Sequence, residues 1–447
     1  MRAEHGGPRT RIDWVLVGTV TALVLIGTVA ILSAASPLPH YDQIRQRHFM
    51  ALGIGIALFF VGLGFNYQIF QDQSKTIYVL TILMMILVLV VGDVQRGQRA
   101  WLRFPYFSFQ PSELARITTI LVLANYLDRR GVRSKMVTVR HVLGAFAVAA
   151  PVMGLILLEP DFSSTLSFFP MLLGMLFCAG ASAAPLIAMG AFGTVTLMMP
   201  LLWALLAMHP EWTKSWVLLS YFASLKNFDL PLFLTVGGIF VAAYLIWKLT
   251  AELRMQAPAP LFIVAAAILA AGLVSGILFD HQLKGYQRDR LVAFLIPEAD
   301  PKGAAYNVEQ AQIAIGSGGL WGKGVFSGTQ SRLGFLPERH TDFIYAVIGE
   351  EMGFLGAMSV LGLYLLLLWR IVHTARLARD RYGYLVCCGL AAIYGFHLMV
   401  NVGMCVGLVP VAGVPLPFLS YGGSSLAVTL FSMGIVANIY SRRYAFY

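Results

Sequence analysis

Residues 259–279 read APLFIVAAAILAAGLVSGILF, a run without one ionisable side chain. A helix that crosses the hydrocarbon of a bilayer needs about 20 consecutive, mostly apolar residues. This run meets that length, and similar runs recur on both sides of it. Spans are expected near 14–34, 48–65, 75–92, 111–127, 141–158, 162–179, 183–207, 231–248, 383–405 and 416–440, with one more at 343–369. With 259–279 these make twelve. Of the 447 residues, 58% are apolar or aromatic and only 12% are charged. Soluble domains are about 45–50% apolar and about 25% charged. The composition excludes a soluble enzyme, a disordered chain and a disulfide-stapled secreted module. It predicts an all-α polytopic integral membrane protein forming one membrane domain over 1–447. The first run is longer than the apolar part of a cleavable signal and lacks a clear small-residue cleavage site, so it is read as a span.

Lys and Arg set the orientation of short loops. With the N-terminus inside, the inner segments hold 17 Lys/Arg and the short outer loops hold 7. Both termini are therefore expected in the cytoplasm. The net charge of +10 reads as topology and contact with anionic lipids, not as nucleic-acid binding. Cys178, Cys387, Cys388 and Cys405 all fall in apolar segments and read as small buried hydrophobes.

Three stretches break the pattern. Residues 280–341 carry 7 Lys/Arg, 6 Asp/Glu and 9 Gly in 62 positions, too long for a plain connection. With nine spans before it, this loop is expected outside, ordered and partly helical. Residues 93–112 suggest a re-entrant or interfacial turn, with an ordinary amphipathic loop as the alternative; Pro111 suits a helix start. Residues 406–425 are dense in Pro and Gly and suggest a turn with a kinked final helix.

Charges at membrane depth are costly and are functional candidates by default. Asp342 opens the span after the long loop, where helix capping and catalysis are both open readings. Glu350 and Glu351 lie within that span, and structural pairing is favoured for them. Glu113 and Arg116 have the i,i+3 spacing of an intrahelical ion pair, which could be structural or could line a cavity. Asp161, in Glu159-Pro160-Asp161, could cap a helix or touch a substrate. Arg288, Arg290 and Lys323 are either a solvated loop face or a cationic site for pyrophosphate. The glycine run around Lys323 does not match the spacing of a nucleotide-binding phosphate loop, so that reading is rejected.

These residues resemble the SEDS family (shape, elongation, division and sporulation). The resemblance rests on Phe109-Gln110-Pro111-Ser112-Glu113, Ile313 to Gly319, Gly322-Lys323-Gly324, Gly328-Thr329-Gln330, Phe335 to Ile344, Gly349-Glu350-Glu351, Asn401-Val402-Gly403-Met404 and Pro415 to Ser425. Gly328 to Ser331, Pro337 to His340 and Val411 to Pro417 favour the family's elongation member over its division member. There are departures. The family usually has ten spans, and the excess here falls at about 210–280, as an added helix pair. The usual Gln-Pro-Asp-Leu-Gly-Thr begins with Glu159 here, and the usual Lys after Glu113 is Arg116.

The resemblance implies a peptidoglycan glycosyltransferase of the bacterial cytoplasmic membrane that polymerises lipid II into β-1,4-linked glycan, with its active site facing outward. Asp342 is the implied general base. Arg288, Arg290, Lys323, Gln330, Glu338, Arg339 and His340 are implied substrate contacts, and Glu113, Arg116 and Asp161 line the cavity. A divalent cation, with Mg²⁺ the expectation, is the implied cofactor. Implied partners are lipid II, the growing lipid-linked strand, membrane lipids and a class B penicillin-binding protein transpeptidase. A lipid II flippase and a non-catalytic scaffold of the elongation machinery are the alternatives.

Overall fold

The computed structural model describes residues 12–95, 98–104, 107–131, 139–253, 258–282, 285–296 and 303–443. Several of the basic residues that set the expected orientation, Arg2, Arg9, Arg11, Arg96, Arg133, Lys135 and Arg254, lie outside them. The chain forms two compact units. One comprises Met1–Ala181 with Asn307–Tyr447, the other Ser182–Tyr306. The second of the two boundaries, between Tyr306 and Asn307, falls inside the long polar stretch.

Among the described residues, ten helices are long and apolar enough to cross a membrane. Two of the twelve expected spans are not among them, for different reasons. The 111–127 span is a continuous helix, Pro111–Gly131, but carries Glu113, Arg116, Asn125, Asp128 and Arg129. Most of its side chains are buried inside the first unit. A helix shielded from lipid on nearly all sides can hold polar groups that a lipid-facing one cannot. The 162–179 span is broken into Phe162–Leu166 and Phe168–Cys178, with Asp161 and Ser167 at the two helix starts.

The first unit packs around Pro111–Gly131, Arg381–Cys405 and Gly423–Ser441. The last of these lies closely along Tyr41–Gly64. A Cβ on Gly434 would sit 2.3 Å from the Phe59 carbonyl oxygen, so this crossing depends on a residue without a side chain. Close approach through small residues is how apolar helices gain contact in lipid. A buried ion pair ties the start of Trp14–Ala35 to the helix Ile344–Leu377. Arg370 donates to Asp13 Oδ2 from Nε at 3.0 Å and from Nη2 at 2.6 Å. Asp13 Oδ1 also accepts from Leu16 N in the first turn of Trp14–Ala35.

The 93–112 stretch is neither a re-entrant turn nor a plain loop. Among the described residues it holds three antiparallel strands, Asp93–Gln95, Gln98–Arg103 and Ser108–Phe109, in sequential order. Strand pairing satisfies backbone groups that an irregular loop would leave unpaired. The Pro/Gly-dense stretch holds the expected turns, at 406–409 and 417–420 with an extended segment at 410–416 between them, but the final helix is not kinked: Gly423–Ser441 is one uninterrupted helix.

The second unit centres on Ala183–Met208 packed against Ala259–Gln282. Leu230–Glu252 leans on the latter and is exposed over most of its surface. Among the described residues the long polar stretch contains three helices, Gly285–Leu295, Ala304–Ser317 and Thr329–Arg332. Cys387 and Cys405 are buried, and Cys178 and Cys388 partly so.

Candidate active site

The long helix Ile344–Leu377 is preceded by a tight turn, Glu338 to Phe343. Glu338 adopts the left-handed conformation, with φ of 49°, and its carbonyl accepts from the amides of Thr341, Asp342 and Phe343. The two alternate carbonyls that follow are held from outside the turn. Tyr421 N donates to His340 O at 2.8 Å, and Asn401 Nδ2 donates to Asp342 O at 2.9 Å. Arg339 is turned inward, 6% exposed, with Nε donating to Ala34 O at 2.8 Å. Asp342 is only partly buried. The N-cap of the long helix is Phe343, whose side chain makes no capping bond, and Asp342 stands one residue before it.

His340 and Tyr421 pack at 5.5 Å between ring centroids, and His48 lies 6.5 Å from Tyr421 on its other flank. Arg47 hydrogen-bonds the Tyr421 phenol; burial raises that group's pKa and Arg47 opposes the rise. Arg47 and His48 are not legible as site residues, their only signal being polar groups close to the apolar runs, and Tyr421 is visible only as part of the Pro415 to Ser425 motif.

Behind the turn, a second network locks the glycine-rich loop onto a break in the long helix. At Gly353 (φ 67°, ψ −167°) the helix is interrupted. The loop fills the gap: Lys323 N and Gly324 N donate to the carbonyls of Glu350 and Glu351, while Phe354 N donates to Gly319 O. Gly322 has φ of 82°, and a Cβ there would meet the Glu351 carbonyl oxygen at 2.2 Å. No other residue fits. Lys323 Nζ donates to Ser317 Oγ, Thr329 Oγ1 and Glu350 Oε1 at 2.8, 2.7 and 3.0 Å. Glu350 has no exposure and also accepts from Gln330 N and Ser331 N. Glu351 accepts from Ser33 Oγ at 2.6 Å. Both glutamates are thus structural anchors, and Gln330 joins them through its backbone.

A third network lies in the middle of the bundle. Arg116 bonds Glu113 through Nη2 and reaches His397 Nε2 from Nη1 at 2.9 Å. His397 Nδ1 lies 3.2 Å from Pro415 O. A carbonyl can only accept and a guanidinium can only donate, so the ring carries its proton on Nδ1 and accepts at Nε2. A cavity of about 20 Å³, room for about one water, is lined by these three side chains with Tyr394, Ser425 and Thr429. Asp161 caps Phe162–Leu166 through Ser164 N and accepts from Gln110 Nε2 at 3.0 Å; it lies within electrostatic reach of Glu113. Glu159 beside it is wholly buried, and neither carboxyl oxygen has a hydrogen-bond partner. Burial, reinforced by the Asp161 carboxylate, pushes its pKa up to about 8.

Arg288 and Arg290 belong to the second unit. Arg288 Nη2 pairs with the buried Asp280 at 3.1 Å, which Lys226 also approaches at 3.6 Å. Among the described residues no three His, Cys, Asp or Glu side chains come together to hold a metal ion.

A family model described as a cell cycle protein (FtsW, RodA, SpoVE) matches residues 13–227 and 234–445. The chain is 31% identical to the peptidoglycan glycosyltransferase RodA of Treponema pallidum, over 96% of this chain and 98% of that one. It is 30% identical to the peptidoglycan glycosyltransferase MrdB of Escherichia coli K12, over 97% and 95%. Among solved structures, it is similar to a chain from a study of the structural coordination of polymerization and crosslinking by a peptidoglycan synthase complex. The TM-score is 0.64 at 28% identity, covering 97% of this chain and 98% of that one. Rod shape determining protein RodA of Thermus thermophilus matches with a TM-score of 0.58 at 26% identity, covering 97% and 98%. A multi-pass membrane bundle, matched along nearly its whole length, belongs to the FtsW/RodA/SpoVE family of cell cycle proteins, the SEDS family.

Proposed function

We propose that this chain is a peptidoglycan glycosyltransferase that polymerises lipid II during cell elongation, with Asp342 as its general base. The relatives' activity supports the reaction. The observation that carries the residue assignment is the turn from Glu338 to Phe343, which holds a partly exposed carboxylate on a backbone tied from outside by Asn401 and Tyr421.

The chemistry has two needs. The acceptor's GlcNAc 4-hydroxyl is a poor nucleophile until its proton is taken, and a carboxylate on a rigid element does this well. The hydroxyl oxygen then attacks C1 of the donor MurNAc. The C1–O bond to the lipid pyrophosphate breaks, and the α linkage becomes a β-1,4 bond. The departing pyrophosphate carries negative charge and needs cationic or hydrogen-bonding partners. Lys323 Nζ donates to Ser317, Thr329 and Glu350, so this role is assigned instead to His340, in the turn, and to Arg47, which reaches the Tyr421 ring packed against it. Mg²⁺ would enter with the substrate's own phosphates, the usual way this ion is held.

The positive-inside count supports cytoplasmic termini and an outward-facing turn. A class B penicillin-binding protein transpeptidase is the expected partner, in keeping with the complex to which a similar chain belongs.

Glycan synthesis from purified lipid II in liposomes tests the assignment. Wild type is expected to form strands, and Asp342→Ala and Asp342→Asn to form none while unfolding at the wild-type temperature. Strand synthesis by either variant overturns the role of Asp342.

A further inference from the structure

We propose that Asn401 is a positioning residue for Asp342: its side-chain amide fixes the backbone from which the carboxylate projects. The inference rests on the reading of Asp342 as the base.

Asn401 lies in Arg381–Cys405 and has no solvent exposure. Its Nδ2 donates to Asp342 O at 2.9 Å and to Val414 O at 2.8 Å. Those two bonds use both hydrogens of the amide. Oδ1 has no partner, so the side chain is placed for its donors. The reverse orientation would set Oδ1 against two carbonyl oxygens. In the long helix the first backbone carbonyl to accept is that of Phe343, from Ala346 N and Val347 N. Asp342 O lies one residue before that, and Asn401 supplies its donor.

The same helix face makes a second tie one turn earlier. His397, four residues before Asn401, donates from Nδ1 to Pro415 O and accepts from Arg116. Adjacent carbonyls of the extended segment, Val414 and Pro415, are thus held by side chains four residues apart on one helix. Of the two side chains, it is Asn401 that reaches beyond that segment to the Asp342 turn. It joins the helix that braces the Glu113–Arg116 pair to the turn that carries the carboxylate. Misplacing a catalytic group by about 1 Å can cost about 10²-fold in rate, and an amide bonding two carbonyls is a means of preventing that.

The test compares Asn401→Leu, Asn401→Ser and Asp342→Asn with wild type in full-length protein. Initial rates across a lipid II series give kcat and KM, and thermal unfolding in detergent gives stability. Leu keeps the volume and removes both donors; Ser keeps one donor. The expected result is a kcat lowered about 10²-fold in Asn401→Leu, with KM and unfolding temperature unchanged, and an intermediate kcat in Asn401→Ser. Wild-type kcat in Asn401→Leu overturns the proposal. So does a loss that appears in KM, or one that follows unfolding temperature across the two variants. If Asn401→Leu does not fold, Asn401→Ser decides by the same criteria. Asp342→Asn separates the two claims: full activity there removes the base assignment, whereas an inactive Asp342→Asn beside an unaffected Asn401→Leu removes only the positioning role.

Discussion

Lys323 Nζ lies 3.0 Å from Oε1 of Glu350, a carboxylate with no solvent exposure, where the glycine loop closes over the break in the long helix. Removing one member of a buried pair leaves the other uncompensated, at about 3–5 kcal/mol. Lys323 is partly exposed, so the lower end applies. Lys323→Met is expected to destabilise the protein by about 3 kcal/mol, read as a lower unfolding temperature in detergent. Lys323→Met with Glu350→Gln is expected to recover most of it. Recovery of glycan synthesis in the double variant would show that Lys323 braces the loop and does not bind pyrophosphate; stability restored without synthesis would return Lys323 to the substrate.

The same pair shows how far the sequence could be read. Span positions were legible because apolar runs of bilayer length have few other uses. Ion pairs close in sequence, Glu113 with Arg116, followed from helical spacing. Lys323 and Glu350 are 27 positions apart, and nothing in the sequence around Lys323 distinguishes a brace from an anion site. Asn401 was visible only as part of a family motif. Its function depends on which carbonyls lie opposite it, and no pattern of residue types records that. The small sheet at 93–109 was missed for a related reason: its strands are two to six residues long, too short for an alternating pattern to emerge.

Glu159 should make stability fall as pH rises. The carboxyl is wholly buried without a partner, and its pKa is raised from an ordinary 4.5 to about 8. Between these values the folded protein holds a proton that the unfolded chain releases. The stabilisation is complete below about pH 4.5 and is lost as pH rises to about 8. Glu159→Gln, which restores the residue the family usually carries here, is expected to flatten that dependence and to unfold at a higher temperature at pH 9. Equal pH profiles for the two proteins would mean that Glu159 is not held protonated.

Asp13 serves two purposes, capping Trp14–Ala35 and neutralising the nearly buried Arg370. Asp13→Ala loses the cap, worth about 1 kcal/mol, and leaves a guanidinium unpaired, at about 3–5 kcal/mol. Arg370 keeps some compensation from the rings of Trp369 and Tyr440, 5.4 and 5.7 Å from its central carbon. Asp13→Asn keeps a capping oxygen and is expected to lose less. Thermal unfolding should therefore rank wild type above Asp13→Asn, and Asp13→Asn above Asp13→Ala. Equal losses in both variants would place the whole effect on the missing charge.

Arg116 stands where the family usually has Lys, and its surroundings explain what the larger group does. One arm of the guanidinium bonds Glu113 while the other reaches His397. A lysine ammonium is a single point at the end of a flexible stem and lacks the two arms that reach both partners. Arg116→Lys is expected to keep the Glu113 pair, release His397 and lower the polymerisation rate, with little change in unfolding temperature. Arg116→Ala is expected to be worse on both counts, because Glu113, 9% exposed, then has no cation beside it. His397→Gln offers the converse test. Its side-chain amide can still accept from Arg116, so it should behave like wild type if that contact is what His397 provides. If Arg116→Lys matches wild type while His397→Gln does not, the weight lies on the bond from His397 to Pro415, and hence on the segment that Asn401 also holds.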